Sequence, residues 1–441
     1  MTNVIDRLAV FVDAHRQSGK CPKEALDVMR LCLLDWAVVG LAAEQEAITG
    51  SILGYANDTG GEGSSSLFFG EGQRLARTAP RLAALVNGTI SHTLDFDDTH
   101  FAHIGHVSTV VFPAALAMAE AENGDLQQLV QAALIGAEVA TRVGVWLGRS
   151  HYQAGFHQTA TAGAFGAAVA AAVSTSDVTA AAPLRIVAGM AAGLKQQFGT
   201  AMKPMNAGMA AAHGVESVLL ARHGLDGSQE AADGAQGFGN THHGENDLSA
   251  FDTLGQAWLF PDVTHKFHPC CHGTHAMIEA MKSVLGDQSD LTGRVRKIEL
   301  RTNPRWMSVC NKPAPVDYLE AKFSYTFLAA LLLRNGMKSF GNSDMAACFP
   351  LDETHRDCMS RVTVIADESV SETAAELVVH LSDGSMLEAY NDLTDPLPLD
   401  VRLDKLMEKG RECLGSKADD LWAAIQGDDL KAFTALMRRG A

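Results

Sequence analysis

The sequence predicts a mainly α fold: a large all-helical domain with a smaller α+β lid domain inserted before the C-terminal helices. Three observations carry that reading. From the start to about residue 261, apolar residues recur at helical spacing and small residues are dense. After Pro261, short stretches alternate with period two, as half-buried strands do. After Pro396-Leu397-Pro398 the helical period returns. The expected boundaries are therefore 1–261 and 398–441 for the helical domain and 262–397 for the lid. A chain of 441 residues also exceeds what one ordinary core supports.

Taken in order, the first helix is marked by Val4, Leu8, Phe11 and Val12 on one face. Residues 22–43 predict a buried helix with Pro22 at its start. Asp35 inside that helix needs a partner, because a buried lone carboxylate is costly. Residues 55–76, centred on GGEGSSS, predict a loop. A helix over 78–92 follows, and Ser108 is placed as the cap of the next one. Asp125 and Gln128 make a capping box. HQTATAGAFGAAVAAAVS, 157–174, predicts a central helix crowded on every side. In the lid, 295–302 and 361–366 predict strands, and 376–390 predicts a hairpin turning at Ser382-Asp383-Gly384. Helices over 273–285 and 320–335 are expected beside them, and 403–414 and 418–438 close the chain.

Composition excludes several classes. A formal net charge of −17 disfavours nucleic-acid binding, which needs a basic surface, and disfavours attachment to an anionic membrane. The N-terminus is punctuated by Asp6 and Asp13 and lacks a leader pattern. The apolar run 31–43 is too short to cross a bilayer. The cysteines have no disulfide-framework spacing. A cytoplasmic protein with reduced thiols is expected. Walker, Rossmann and nucleophile-elbow patterns are absent, and GFGN at 237–240 is an isolated loop match.

Four polar clusters interrupt this apolar chain: DFDDTHFAHIGHVS (95–108), YQAGFHQT (152–159), GTAMKPMNAG (199–208) and HKFHPCCHGTH (265–275). A metal centre is one reading. His100, His103 and His106 have even spacing, and Cys270, Cys271, His272 and His275 offer sulfur and nitrogen. No zinc pattern fits them, because paired CxxC and HExxH are both absent. Acid–base chemistry without metal is the leading alternative. It needs histidines as proton carriers and lysines for anionic groups. Lys203 and Lys266 lie near Pro204 and Pro269, which places both in loops, where binding residues concentrate. A capped helix end and solvated lysines are the bland reading of each residue alone, and a scaffold without catalysis is the non-enzyme alternative.

Five stretches then resemble the MmgE/PrpD family: NGTISHTLDFDDTH (87–100), GFHQTATAGAFGAA (155–168), FGTAMKPMNAGMAA (198–211), KFHPCCHGTH (266–275) and LEAKFSYTFLAAL (319–331). They fall in family order over most of the chain. The resemblance implies the two-domain fold above, a homodimer and no metal or organic cofactor. It also implies a lyase acting on a small anionic di- or tricarboxylate, most simply a 2-methylcitrate dehydratase-like hydro-lyase. An epimerase of a dicarboxylate such as iminodisuccinate, or a cis-aconitate decarboxylase-like enzyme, is the alternative.

The family's site residues carry over one at a time. Asp95 and Thr99 match the DFDDT motif, and His157 matches the GFH histidine. His106 matches a histidine usually followed by Pro-Ser, where Val107-Ser108 stands here. Lys203 matches the lysine of the T-K-P segment, with Met202 in place of threonine. Lys266 opens the K-x-x-P motif. The decarboxylase's histidine five residues after that lysine is replaced here by Cys271, beside His272. Tyr152, Cys271, His272 and Tyr325 are further candidates for substrate contact. Asp97 and Asp98 are expected to shape the loop that presents His106. The resemblance places the site in the cleft between the domains.

Overall fold

A computed structural model describes residues 3–70, 75–286 and 293–439. Its main chain divides into two compact units: Met1–His265 with Pro398–Ala441, and Lys266–Leu397.

The first unit is helical. α1 (Val4–Ser18) and α2 (Lys23–Ala42) lead into α3 (Ala47–Thr59). Residues 55–59 of the expected loop thus belong to α3, and residues 71–74 of that loop lie outside the described residues. A two-residue ladder, β1 (Ser65–Ser66) with β2 (Arg77–Thr78), precedes α4 (Pro80–Ser91). Then come α5 (Ser108–Ala121), α6 (Leu126–Gln153), α7 (Gln158–Val173), α8 (Ala181–Ala188) and α9 (Met202–Arg222). The Asp125–Gln128 capping box opens α6 with both of its reciprocal bonds. Helices Leu399–Leu414, Lys417–Gln426 and Leu430–Arg438 return to this unit, the stretch over 418–438 breaking at Gly427.

α7 is the axis of the unit. Every residue from Gln158 to Ala172 is buried, against α5 and α6 on one side and α9 on another. Small residues set that spacing. A Cβ on Gly166 would stand 2.6 Å from the Ala140 Cβ and the Gly136 carbonyl. A Cβ on Gly208 of α9 would meet the Leu85 carbonyl of α4 at 2.3 Å. Backbones this close exclude any side chain, so α4, α7 and α9 hold polar loops at fixed separations. α6 is long and apolar enough to cross a membrane, yet 89% of its most apolar window is buried within the unit.

Asp35 has the partner its burial demands. Lys409, from the first returning helix, lies 2.6 Å from it and donates to the Phe96 carbonyl at 2.8 Å. Both side chains are 1% exposed. Burial pushes the Asp35 carboxyl up to about 7 against the opposing pull of Lys409.

The second unit carries a four-stranded sheet in the order β4-β3-β5-β6: β3 (Val295–Thr302), β4 (Val362–Ala366), β5 (Ala374–Leu381) and β6 (Met386–Asp392). β3 and β4 are parallel, so their connection carries helices, and β5 and β6 form the antiparallel hairpin. Alternate residues Ile298, Leu300, Leu377 and Val379 enter a core with Met277, Met281 and Leu328. The helix expected over 320–335 is two, Tyr318–Ala321 and Tyr325–Arg334. Ser324 separates them and caps the second through the Phe327 amide.

Candidate active site

The link between α4 and α5, residues 92–107, is a folded loop. Asp95 adopts φ 53°, a left-handed conformation uncommon for a residue with a side chain. Thr99 exchanges backbone bonds of 2.9 and 2.8 Å with Thr264, and His100 bridges Gly105. The His106 amide donates to the Thr159 hydroxyl of α7 at 3.0 Å. Ser108 does not cap α5 as expected. It is the first helical residue, and its amide and hydroxyl both donate to Asp98. A buried carboxylate from the loop therefore does the capping, because it reaches the free helix amide directly. Burial raises the Asp98 pKa, partly offset by those two bonds.

Lys203 lies in the first turn of α9, not in a loop. Pro204 beside it is a helix-starting residue, which reconciles the sequence pattern with the helix. A cation at a helix N-terminus opposes the dipole, so an adjacent anion is expected. Asp95 supplies it, with Oδ2 2.7 Å from Lys203 Nζ.

An unbroken chain of polar contacts runs on from this pair. Asp95 Oδ1 lies 3.3 Å from His106 Nε2, and His106 Nδ1 lies 3.0 Å from Asp97 Oδ2. His92 Nδ1 is 3.0 Å from both Asp97 oxygens. The His92 ring meets His106 edge-on at 4.4 Å and stacks with His157 at 6.1 Å. Asn206 of α9 and the edge of Phe198 close around His157 at 3.4 and 4.9 Å. Asp95 is 46% exposed at its side chain while Asp97 is 0% exposed, so the chain runs from solvent to core.

Electrostatics follow that gradient. Burial alone would raise Asp97, but His106 and His92 overcome it and hold the carboxyl well below its usual range. Burial lowers His92 to about 4 and, with Lys203 and the neighbouring rings, drives His157 well below its ordinary value. His157 is therefore a neutral imidazole at neutral pH.

Four predicted residues, Asp95, His106, His157 and Lys203, meet here, with Thr99 on the same loop. Tyr152 stands apart near the end of α6. Lys195, which the sequence reading passed over, sits 3.6 Å above its ring and donates to its carbonyl at 2.9 Å. Lys266, Cys271 and His272 belong to the second unit, where Lys266 is 4% exposed and Cys271 donates its amide to Lys322. Tyr325 has no free face for a substrate. Its buried hydroxyl donates to the Gly273 carbonyl at 2.8 Å and meets Thr302 at 3.2 Å.

The evenly spaced histidines do not converge. His100 bonds the Leu259 carbonyl at 2.8 Å, and His103 is buried against Gly144. Among the described residues, donor atoms of His92, Asp95, Asp97 and His106 do lie within 4.8 Å of one another, as do those of Cys32, Asp98 and His265. In the first group the positive charge facing Asp95 is the Lys203 ammonium. His92 and Asn206 had no signal of their own in the sequence, since each reaches the site only through helix packing. A surface cavity of about 570 Å³ lined by Arg16, Glu122, Gln128 and Thr175 contains none of these residues.

A family model for the MmgE/PrpD N-terminal domain matches residues 6–250, and one for the MmgE/PrpD C-terminal domain matches residues 268–419. The chain is similar to human cis-aconitate decarboxylase, 31% identical over 279 residues, covering 60% of this chain and 57% of that protein. It is similar to the mouse protein of that name at 30% identity, covering 59% and 56%. Cis-aconitate decarboxylase from Aspergillus terreus is 24% identical over 398 residues, covering 80% of this chain and 77% of that one. The chain thus spans less than two thirds of the length of the two mammalian relatives it matches.

Proposed function

We propose a lyase activity, starting from the fact that the chain belongs to the MmgE/PrpD family: the protein moves a proton at a carbon beside a carboxylate of a small di- or tricarboxylate. The observation that carries this reading is the Lys203–Asp95–His106 chain beside a neutral His157. Negative charge that develops on such a carbon delocalises into its carboxylate, where a preorganised cation stabilises it. Lys203 is that cation, held by Asp95 and reinforced by the N-terminus of α9. His157 and His106 form the base and acid pair, and Thr99 donates a hydrogen bond to substrate.

Cis-aconitate is the first substrate to test, because the relatives matched carry that activity in their names. In decarboxylation the bond from carbon to one carboxylate breaks, carbon dioxide leaves, and the carbon left behind takes a proton. Dehydration is the second reading, favoured by Cys271 in place of the decarboxylase's histidine. There the base removes a proton beside a carboxylate and the hydroxyl on the next carbon leaves as water, protonated by the acid. The reading is independent of metal and assumes a homodimer.

The test is incubation with cis-aconitate, citrate, 2-methylcitrate and iminodisuccinate in heavy water, with and without a chelator. A decarboxylation or epimerisation product carrying solvent deuterium, or an unlabelled dehydration product, supports the reading, and product identity separates the three reactions. No product and no deuterium uptake from any of the four overturns it. Activity lost to the chelator and restored by zinc overturns its metal-free part.

A further inference from the structure

Asp97 and His92 lie behind the residues that face solvent, and their arrangement carries an assignment of its own. Ionised Asp97 has only acceptors, so each nitrogen against it must present an N–H. His106 Nδ1 is 3.0 Å from its Oδ2, and His92 Nδ1 is 3.0 Å from both its oxygens. Asp95 faces the second ring nitrogen, Nε2, at 3.3 Å, but it is half-exposed and shares its charge with Lys203 at 2.7 Å. Asp97 is fully buried with Nδ1 at 3.0 Å, so the one proton of the neutral ring belongs on Nδ1 and Nε2 is left toward the half-exposed side. The backbone agrees with this aim. Thr159 pins the His106 amide, and Lys409 pins the Phe96 carbonyl between Asp95 and Asp97.

We infer that Asp97 is the positioning carboxylate of His106, and that His92 positions Asp97 in turn, so that Nδ1 of His106 keeps its proton and Nε2 is the nitrogen that exchanges protons with substrate. This rests on the acid–base reading above and names residues for it that the family pattern does not assign. The carboxylate acts as in other carboxylate–imidazole pairs: it fixes ring tautomer and orientation and stabilises the imidazolium when it forms. His92 adds a donor without adding charge. Burial keeps its ring neutral, so the carboxylate retains its negative charge for His106. A merely structural Asp97 would satisfy the same distances but would leave turnover indifferent to the tautomer.

Two measurements separate these roles. In Asp97→Asn the amide donates to Nδ1 and drives the proton to Nε2. The expected loss in kcat is roughly 10⁴-fold with KM little changed, the size seen when a triad carboxylate is made an amide. His92→Leu should cost about tenfold in kcat, as losing an outer hydrogen-bond partner does, and His92→Gln, which keeps a donor, should recover part of it. Independently of turnover, nitrogen-15 histidine spectra of the unmodified protein, assigned with His106→Gln and titrated with pH, report the tautomer. Above its titration His106 should carry its proton on Nδ1. An Nε2-protonated ring, or a folded Asp97→Asn with unchanged kcat, overturns the inference. Should Asp97→Asn fail to fold, the spectra and the His92 pair decide. Should no substrate on the panel react, the proposed function fails while the spectra still decide the tautomer.

Discussion

The two units each bury a knot of histidines, and they use them differently. In the first unit His92, His106 and His157 adjoin carboxylates and a lysine in a chain that begins at a half-exposed group, Asp95. In the second, His268 pairs with Glu279 at 2.9 Å, and His272 and His275 pack ring against ring at 4.8 Å. Two of its thiols are suppressed: burial pushes Cys270 up to about 12, and Cys271 together with burial drives the Cys310 thiol up. A thiol so far from ionising is a poor nucleophile and a poor ligand. The lesson concerns composition. Both stretches are rich in metal-type residues, yet the first strings its rings between carboxylates and a lysine from a half-exposed group to the core, while the second sets its rings against one carboxylate and against each other.

The largest expected effect would break the contrast outright. Lys203→Ala or His157→Ala should lower kcat by roughly 10³-fold or more, the loss of a transition-state cation or a general base, while circular dichroism stays unchanged. Near-normal turnover in both would make the first cluster structural.

A smaller effect sharpens it from the other side. Cys310→Ala in the second unit should cost about 1 kcal/mol of stability in denaturant unfolding, typical of trimming a buried side chain, and leave kcat within a factor of two or so. A large kcat loss in stably folded protein would give the second cluster a direct role.

Acid gives the smallest and most distributed effect. Burial lowers His92 to about 4, His151 to about 4 and His103 to about 3 in the folded first unit. Their unfolded values lie near 6.5, so the unfolded chain binds more protons in between. Their stabilising contribution is whole above about pH 6.5 and falls as pH drops toward 4. Asp35 works the other way. Its folded value is raised to about 7, so its contribution is whole at low pH and is lost as pH rises toward 7. Three histidines outweigh one carboxyl, and the thermal midpoint should decline between pH 6.5 and 4.5. A midpoint that rises over that window would mean these rings are charged in the folded state.

Local signals were legible in the sequence. The capping box at Asp125–Gln128, the strand Val295–Thr302 and the crowded helix α7 depend on neighbours within a few residues. The acidic loop and the histidine of α7's start stood out by residue type alone. Long-range features did not show. Ser108 resembled a cap until a carboxylate ten residues earlier took that role. Lys203 looked like a loop residue because a following proline fits a loop and a helix start equally. His92 reads as the polar end of an apolar helix, and only the turn at Asp95 folds Asp97 back onto it. The even spacing of His100, His103 and His106 carried no contact information, since that loop has no helical or strand period to project them on one side.

The Lys409 contact with Phe96 has a consequence for synthesis. Lys409 and Asp35 brace the loop that holds Asp95 and Asp97, yet they are separated by the whole of residues 266–397. A ribosome delivers the lysine only after the entire second unit has emerged. Until then Asp35 is an apolar helix's unmatched acid, and the 95–98 loop lacks its clamp. The brace on this loop is thus acquired only after the second unit has been made, and a chain shortened before Lys409 carries Asp95 and Asp97 without it.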